Sequence, residues 1–386
     1  MWRAIASNAL TLFVVGLFLL AGVVMWGQTQ YRAAGPLEQA ICLEVPSGAT
    51  MRSVGNRLDG QGAFSSLTIF NVGADYSGKA SQLKAGRFIV PAGSSMEEIV
   101  DIVTGDGVSN CGKQILYRVG VNRLIAEVRE TNPETNRFDE IARFVVGEDE
   151  VPAEFERVAN EAGTVFRVAI AEGATSWQVY TALNAIDALG EDATAIPSEG
   201  SLAPDSYEFT PGDSVQGVLD RMAAAQVRIL DEAWENRADD LPISTKEEAL
   251  ILASIIEKET AVAGERPLVA SVFVNRLRQG MRLQTDPTVI YGITGGEGVL
   301  GRGLRRSELD RETPYNTYII PGLPPTPIAN PGAAAINAAL NPDDSDYIFF
   351  VADGTGGHAF AVTLAEHNEN VARWRQIEAE RAANSN

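Results

Sequence analysis

Between Ala9 and Gly27 the chain is apolar at every position except Thr11. A helix needs about 20 such residues to cross the hydrocarbon of a bilayer. A cleaved signal peptide has a shorter apolar region followed by a small-x-small site. Here Gln28-Thr-Gln-Tyr-Arg32 follows directly and offers no convincing site, and no cysteine stands near the run to carry a lipid. The reading is an uncleaved transmembrane anchor. Arg3 and the amino terminus precede it and Arg32 follows it. By the positive-inside rule this thin bias leaves the long remainder outside the cytoplasm.

That remainder is acidic. The 386 residues carry a net charge of −20, which argues against nucleic acid, whose phosphates attract Lys and Arg. A bound polymer would be held by hydrogen bonds and stacking instead. The length suits two or three domains. Cys42 and Cys111 are the only cysteines; they either pair, as an oxidising compartment allows, or remain buried thiols. With only His358 and His367 beside them, zinc-type ligand spacing is absent, and the sequence asks for neither a metal nor a cofactor.

A strand–turn–helix unit recurs three times. Ile41 to Val45, a Pro46-Ser-Gly48 turn and a helix with Met51, Val54 and Leu58 on one face form the first. Arg87 to Val90 with Pro91-Ala-Gly93 and Met96, Ile99, Val100 and Val103 form the second, and Arg167 to Ala171 with Glu172-Gly173 and Val179, Leu183 and Ile186 the third. One unit buries too little alone, so the first two are expected to share a small sheet. Residues 28 to 39 resemble a tether. Asn110 to Gly163, rich in Glu and Arg, reads as a partly ordered connector with an insertion. Gly107-x-x-x-x-Gly112-Lys113 lacks the following hydroxyl of a phosphate loop, and Ser81-x-x-Lys84 lacks its companion motifs; neither is assigned a function.

The clearest chemistry lies beyond Ser244. Ser244 and Glu247 have capping-box spacing, which predicts a helix start there. At ~100° per residue, Ala249, Leu252, Ile255, Ile256 and Glu259 share one arc. A carboxyl continuing an apolar stripe loses hydration, so its pKa rises and it can serve as a general acid near neutral pH. The alternative is a frayed helix end with Glu259 in solvent. Glu257 is the rival acid, on a less apolar side. Downstream, Pro267 suits a first helical turn, with Leu268, Val272 and Leu277 as its core face. Asp286 before Pro287 reads by itself as a cap or turn residue. Tyr347 to Val351 and the strand after Gly354-Thr-Gly-Gly357-His358 form a hairpin signal; His358 alone reads as a satisfied turn histidine.

Ile255-Ile-Glu-Lys-Glu259-Thr260, Asn275-Arg276-Leu277, Arg282-Leu-Gln284-Thr-Asp-Pro287-Thr-Val-Ile-Tyr291-Gly292, Thr313-Pro-Tyr-Asn316-Thr-Tyr318, Gly322-Leu-Pro-Pro325 and Val351-Ala-Asp353-Gly-x-Gly-Gly-His358-x-Phe360 together closely resemble the MltG (YceG-like) endolytic murein transglycosylases. The resemblance is dense over about the last 140 residues. Leu83-Lys-Ala-Gly86 with Met96-x-x-Ile99 also resembles the family's LysM-like region. The stretch Gly200 to Ala203 departs from the family in lacking aromatics.

The resemblance implies an α+β chain: tip and transmembrane anchor over 1–30, tether 31–40, a small LysM-like α/β domain 41–108, connector 109–165, a mixed α+β catalytic domain 166–377 and a tail 378–386. It implies cleavage of the N-acetylmuramic acid–N-acetylglucosamine bond of glycan strands, with Glu259 as the single acid/base. Gln284, Asp286, Tyr291, Tyr315, Asn316 and Tyr318 are the implied cleft positions, Gln284 and Asn316 for acetamido groups and Tyr315 or Tyr318 for stacking. Its implied partners are peptidoglycan strands, the inner membrane through the helix, and peptidoglycan synthases of the penicillin-binding class, with the enzyme domain in the periplasm. Two alternatives stand beside it: a lysozyme-type hydrolase with Asp286 as second carboxylate, and a non-catalytic wall-binding scaffold.

Overall fold

A computed structural model of the chain describes residues 2–105, 111–161 and 163–384. Gly107 of the rejected phosphate-loop spacing lies outside the described residues. The fold is mixed α+β. Its contacts divide the chain into two units, the first comprising residues up to Gln114 with Val128–Ala142 and Arg157–Thr164, the second Ile115–Glu127, Arg143–Glu156 and everything from Val165.

Helix α1 (Trp2–Arg32) holds the apolar run. Its segment Phe13–Arg32, with mean hydropathy 1.5, is long and apolar enough to cross a membrane. The first two strand–turn–helix units follow as β1 (Ile41–Val45) with α2 (Met51–Gly60), then α3 (Leu67–Tyr76), then β2 (Gly86–Val90) with α4 (Met96–Thr104). Thr50 with Ser53 and Ser95 with Glu98 make capping boxes that start α2 and α4. β1 and β2 pair antiparallel, Ile41 opposite Val90 and Val45 opposite Gly86. Leu43, Leu58, Phe70 and Ile99 close the core beneath them. Cys42 and Cys111 are joined, with Cα atoms 5.7 Å apart.

The tether expected at 31–40 is absent as such. α1 continues through Arg32, Tyr31 and Leu37 enter the first unit's core, and the Gly35 N–H donates to the Gly93 carbonyl. Gly35, within this stretch, is closely packed against the Ser94 and Ala63 carbonyls.

The stretch read as a partly ordered connector is also built. It contains β3 (Lys113–Val119), β4 (Leu124–Asn132), β5 (Arg137–Val145) and α5 (Ala153–Ala159). With β6 (Val165–Ile170) and β7 (Ser206–Phe209) the strands form a sheet ordered β5-β4-β3-β6-β7. β5 is exposed over most of its length, so no apolar alternation marks it in the sequence. The third strand–turn–helix unit pairs β6 with α6 (Ser176–Asn184), capped by Thr175 and Gln178.

Helices then dominate: α7 (Val215–Glu235), α8 (Lys246–Glu259), α9 (Arg266–Arg278), α10 (Asp286–Thr294), the single turn α11 (Arg306–Leu309) and α12 (Ala333–Leu340). The hairpin signal resolves as β8 (Phe349–Ala352) paired antiparallel with β9 (His358–Ala361). α13 (Leu364–Asn384) extends through most of the expected tail.

α8 packs against α7, α9, α10 and α12. Six consecutive residues, Ile251 to Ile256, are buried, so α8 is a central helix, enclosed on every side over that stretch. α9 likewise buries Val269 through Val274, while Leu268 and Leu277 of its expected core face are only half-buried. The start of α8 lies one residue beyond the expected cap. Thr245 accepts the Glu248 N–H, and the Glu248 carboxylate receives the N–H groups of Ser244, at 2.6 Å, and Thr245. Glu248 reaches both donors, whereas Glu247 points outward to solvent.

Candidate active site

Because α8 is surrounded, its apolar stripe does not distinguish Glu259 from Glu257. Hydrogen bonding does. Glu257 has a side chain only 4% exposed, and both its oxygens are engaged. Oε2 accepts the Gly332 N–H at 2.9 Å, capping α12, and Oε1 meets Arg266 at 3.4 Å. Burial pushes the Glu257 carboxyl up, and these two contacts oppose it. Glu257 therefore ties α8 to α12 and α9.

Glu259 is the last residue of α8 and is half-buried. Its Oε1 accepts a hydrogen bond from the Thr285 hydroxyl. Burial raises its pKa; the Thr285 bond and the charges of His358 and Arg276 lower it, while Asp286 raises it further. Withdrawal from water favours the protonated acid, and a ready hydroxyl stabilises the carboxylate once the proton leaves.

Thr285 was not foreseen as a site residue. It occupies the N-cap position of α10 yet makes no side-chain cap bond, because its hydroxyl is turned to Glu259. The N-terminal end of α10, with its partial positive charge, thus borders the carboxyl. A hydroxyl cluster fixes Thr285. Its N–H donates to Thr317 Oγ1 at 3.1 Å, Thr288 donates to its carbonyl at 2.8 Å, and Thr288 and Thr317 share a bond of 2.9 Å. The signal for it was the Thr-Asp-Pro string, in which Thr285 rather than Asp286 takes the cap.

Gln284 precedes Thr285 with φ +50°, in the left-handed region, a conformation that costs a non-glycine residue about 1 kcal/mol. Its N–H donates to the Thr317 carbonyl at 3.1 Å, and its side chain is exposed. Asp286 is exposed and accepts the Tyr318 hydroxyl at 2.7 Å. Burial and Asp286 hold the Tyr318 phenol protonated.

Tyr291 and Tyr315 form a second pair, ring centroids 5.1 Å apart. Tyr291 lies five residues along α10 from Asp286, about 7–8 Å on, and donates to Glu199 Oε2 at 3.1 Å. Burial raises the Glu199 pKa, while the Ser176 N–H and Tyr291 lower it. Tyr315 shares a 2.7 Å bond with Thr326. Gly292 fits beneath, since a Cβ there would lie 2.9 Å from that of Tyr315.

Asn316 departs from its expected role. It is fully buried, and its amide donates to the carbonyls of Glu308, Leu309 and Arg311 while its oxygen accepts the Tyr318 N–H. Its amide hydrogens are taken and the side chain is shut away from solvent, so it cannot hold an acetamido group. Asn316 shapes the loop that presents Tyr315 and Tyr318.

Arg276 and His358 lie near enough to bear on the Glu259 charge, and Glu265 holds His358. Arg276 is buried and donates from Nε to the Ile348 carbonyl at 2.7 Å and from its guanidinium to that of Leu283. Glu265 accepts the His358 N–H at 2.9 Å and holds its Nδ1 at 2.8 Å, fixing β9 to the segment that follows α8. A Cβ on Gly357 would stand 2.4 Å from Glu265 Oε1, so a larger residue there would displace that carboxylate.

Residues 43–373 match the YceG-like family. The endolytic murein transglycosylase of Bacillus subtilis (strain 168) is 38% identical over 174 residues, 45% of this chain and 47% of that protein. That of Streptococcus pneumoniae serotype 2 is 27% identical over 345 residues, 86% of this chain and 58% of that protein. The chain spans about half the length of the curated relatives it matches. A crystal structure of a yceG-like protein from Listeria monocytogenes aligns over 86% of this chain and 99% of that one, at 24% identity and a TM-score of 0.46. Since the family match covers most of its length, the chain belongs to the YceG-like family.

Proposed function

We propose that this protein is an endolytic murein transglycosylase, as the names of its Bacillus and Streptococcus relatives suggest, and that Glu259 is its single acid/base. The observation that carries the reading is the contrast between two neighbouring acids. The Glu257 oxygens are fixed on Arg266 and Gly332, whereas the withdrawn Glu259 carboxyl has the Thr285 hydroxyl beside it.

In this scheme protonated Glu259 donates to the glycosidic oxygen between N-acetylmuramic acid and N-acetylglucosamine, and the C1–O4 bond breaks through an oxocarbenium-like state. The Glu259 carboxylate, held by Thr285, then takes the proton of the muramic 6-hydroxyl, whose oxygen bonds to C1 and closes a 1,6-anhydro ring. Glu259 ends protonated, as it began, and no water is consumed. The nucleophile belongs to the bound sugar, so its attack is intramolecular. Gln284, Asp286, Tyr291, Tyr315 and Tyr318 line the glycan path in this reading. Asn316 shapes the loop around it.

The N-terminal helix serves as an anchor. One continuous helix runs from the apolar stretch through Arg32, and its Tyr31 is buried in the first unit's core, which supports this. The glycan-facing parts then lie outside the cytoplasm, in the periplasm, where the LysM-like first unit contacts glycan. Peptidoglycan synthases are the expected neighbours of an anchored enzyme that meets strands where they are made.

The test is mass spectrometry of isolated glycan strands digested by the protein and by its Glu259→Gln variant. Anhydro-muramic ends that vanish in the variant are expected. Reducing ends would make water the acceptor and move the chemistry to a hydrolase using Asp286, and wild-type cleavage by Glu259→Gln would refute the assignment of the acid.

A further inference from the structure

The junction between α1 and the first unit is fixed, and this sets the height of α3. Met25 and Trp26, near the end of the apolar run, are 68% and 59% exposed. Tyr31 is 9% exposed. Its ring lies against α3 so closely that a Cβ on Gly73 would stand 2.3 Å from it. Arg32 meets Glu97 of α4 at 3.3 Å. Gly35 sits where a Cβ would be 2.3 Å from the Ser94 carbonyl. The Gly93 N–H closes the turn on the Leu37 carbonyl at 2.9 Å. The helix leaves the apolar run and enters the folded unit with no flexible residue between.

Tryptophan at the end of an apolar helix sits at the membrane interface. Tyr31 is five residues beyond Trp26, about 7–8 Å along the axis. The headgroup layer on one side of a bilayer is about 5–8 Å deep. The stretch of α3 that receives Tyr31 therefore lies at the level of the headgroups. On that helix Phe70, Gly73 and Ala74 face inward, while Val72 and Tyr76, four residues apart on one face, are 63% and 86% exposed.

We propose that this face of α3 rests on the bilayer surface, with Val72 and Tyr76 among the lipid headgroups, so that the first unit is seated on the membrane and not merely tethered to it. The inference rests on the anchor reading given above. Its occupant is a zwitterionic lipid surface. Asp75 lies on α3, and Glu97 and Asp101 on α4 beside it, already pair with Arg32 and Lys79. The contact is apolar and aromatic, with little sensitivity to salt.

The experiment uses the whole chain in phosphatidylcholine vesicles. Both native cysteines are joined in the disulfide, so a single added thiol is a unique site for a nitroxide. Leu20→Cys, Val72→Cys, Tyr76→Cys and Arg52→Cys proteins are labelled, the last at an exposed position of α2. Collision rates with oxygen, which partitions into lipid, are compared with those of an aqueous nickel chelate. The expected result is a severalfold higher oxygen-to-nickel ratio at Val72 and Tyr76 than at Arg52, with Leu20 highest. Ratios at Val72 and Tyr76 equal to that at Arg52, with Leu20 still in lipid, would overturn the seating and leave the α3 face to a protein partner. An aqueous signal at Leu20 would instead bring down the anchor, and the seating with it.

Discussion

Replacing Thr285 by Val removes one hydroxyl and keeps the shape of the side chain. The main chain at this position is held independently, its N–H by Thr317 and its carbonyl by Thr288, so the loop stays in place. What is lost is the bond to Glu259 Oε1. A hydrogen bond to a charged group is worth about 1.5–3 kcal/mol. Part of it also serves the protonated acid, so about 1.5–2 kcal/mol bears on the step in which Glu259 gives up its proton. At 1.36 kcal/mol per factor of ten, kcat should fall about 10- to 30-fold. The sign on the pH profile is fixed by the same bond. It stabilises the carboxylate and lowers the Glu259 pKa against the larger effect of burial. Without it Glu259 holds its proton to higher pH, and the alkaline limb of kcat/KM moves upward. Thr285→Ser, which keeps the hydroxyl, should restore both quantities. The assay is release of soluble muropeptides from purified sacculi, followed across pH. A Thr285→Val enzyme with unchanged kcat and an unchanged alkaline limb would refute the role of this bond.

Glu259→Gln should raise the melting temperature at about pH 8 while abolishing cleavage, and the gain should disappear near about pH 4. Burial sets the folded-state pKa of Glu259 above its ordinary value, so its favourable contribution is present at low pH and lost as pH rises through the raised pKa; calorimetry at the two pH values checks this. Glu257→Ala leaves Arg266 and the Gly332 N–H without their partner and should destabilise by about 3 kcal/mol, read from urea unfolding, whereas Glu257→Gln, which can still accept from Gly332, should do less harm. Opening the Cys42–Cys111 loop, whose ends are 69 residues apart, by a double Ser substitution should remove about 4 kcal/mol of stability from the first unit, seen as a lower urea midpoint that reductant no longer changes.

Much of this architecture was legible because periodicity and turn chemistry are local. The three strand–turn–helix units, the β8–β9 hairpin and α7 lie close to where Pro, Gly and apolar spacing placed them. β5 was not legible, since a strand exposed over most of its length offers no alternation. The tether failed for the opposite reason: Gly35 looks like flexibility in a string of letters, and only a neighbouring carbonyl at contact distance shows that it is close packing.

At the candidate active site the sequence by itself determined that a carboxyl would stand at the end of an apolar helix, and the Ile255 to Glu259 string was enough for that. Which carboxyl is held by an ion pair and which by a hydroxyl was decided by the tertiary structure. Glu257 and Glu259 are two residues apart and both withdrawn from water. They differ only in what residues far along the chain bring to them: Arg266 and Gly332 to the one, Thr285 to the other. The same holds for Asn316, whose chemistry suits a sugar amide but which is buried, its amide turned to three carbonyls of its own loop and its oxygen to the Tyr318 N–H. Hydrogen-bond partners are set by distance in space, which the order of residues along a chain does not encode locally.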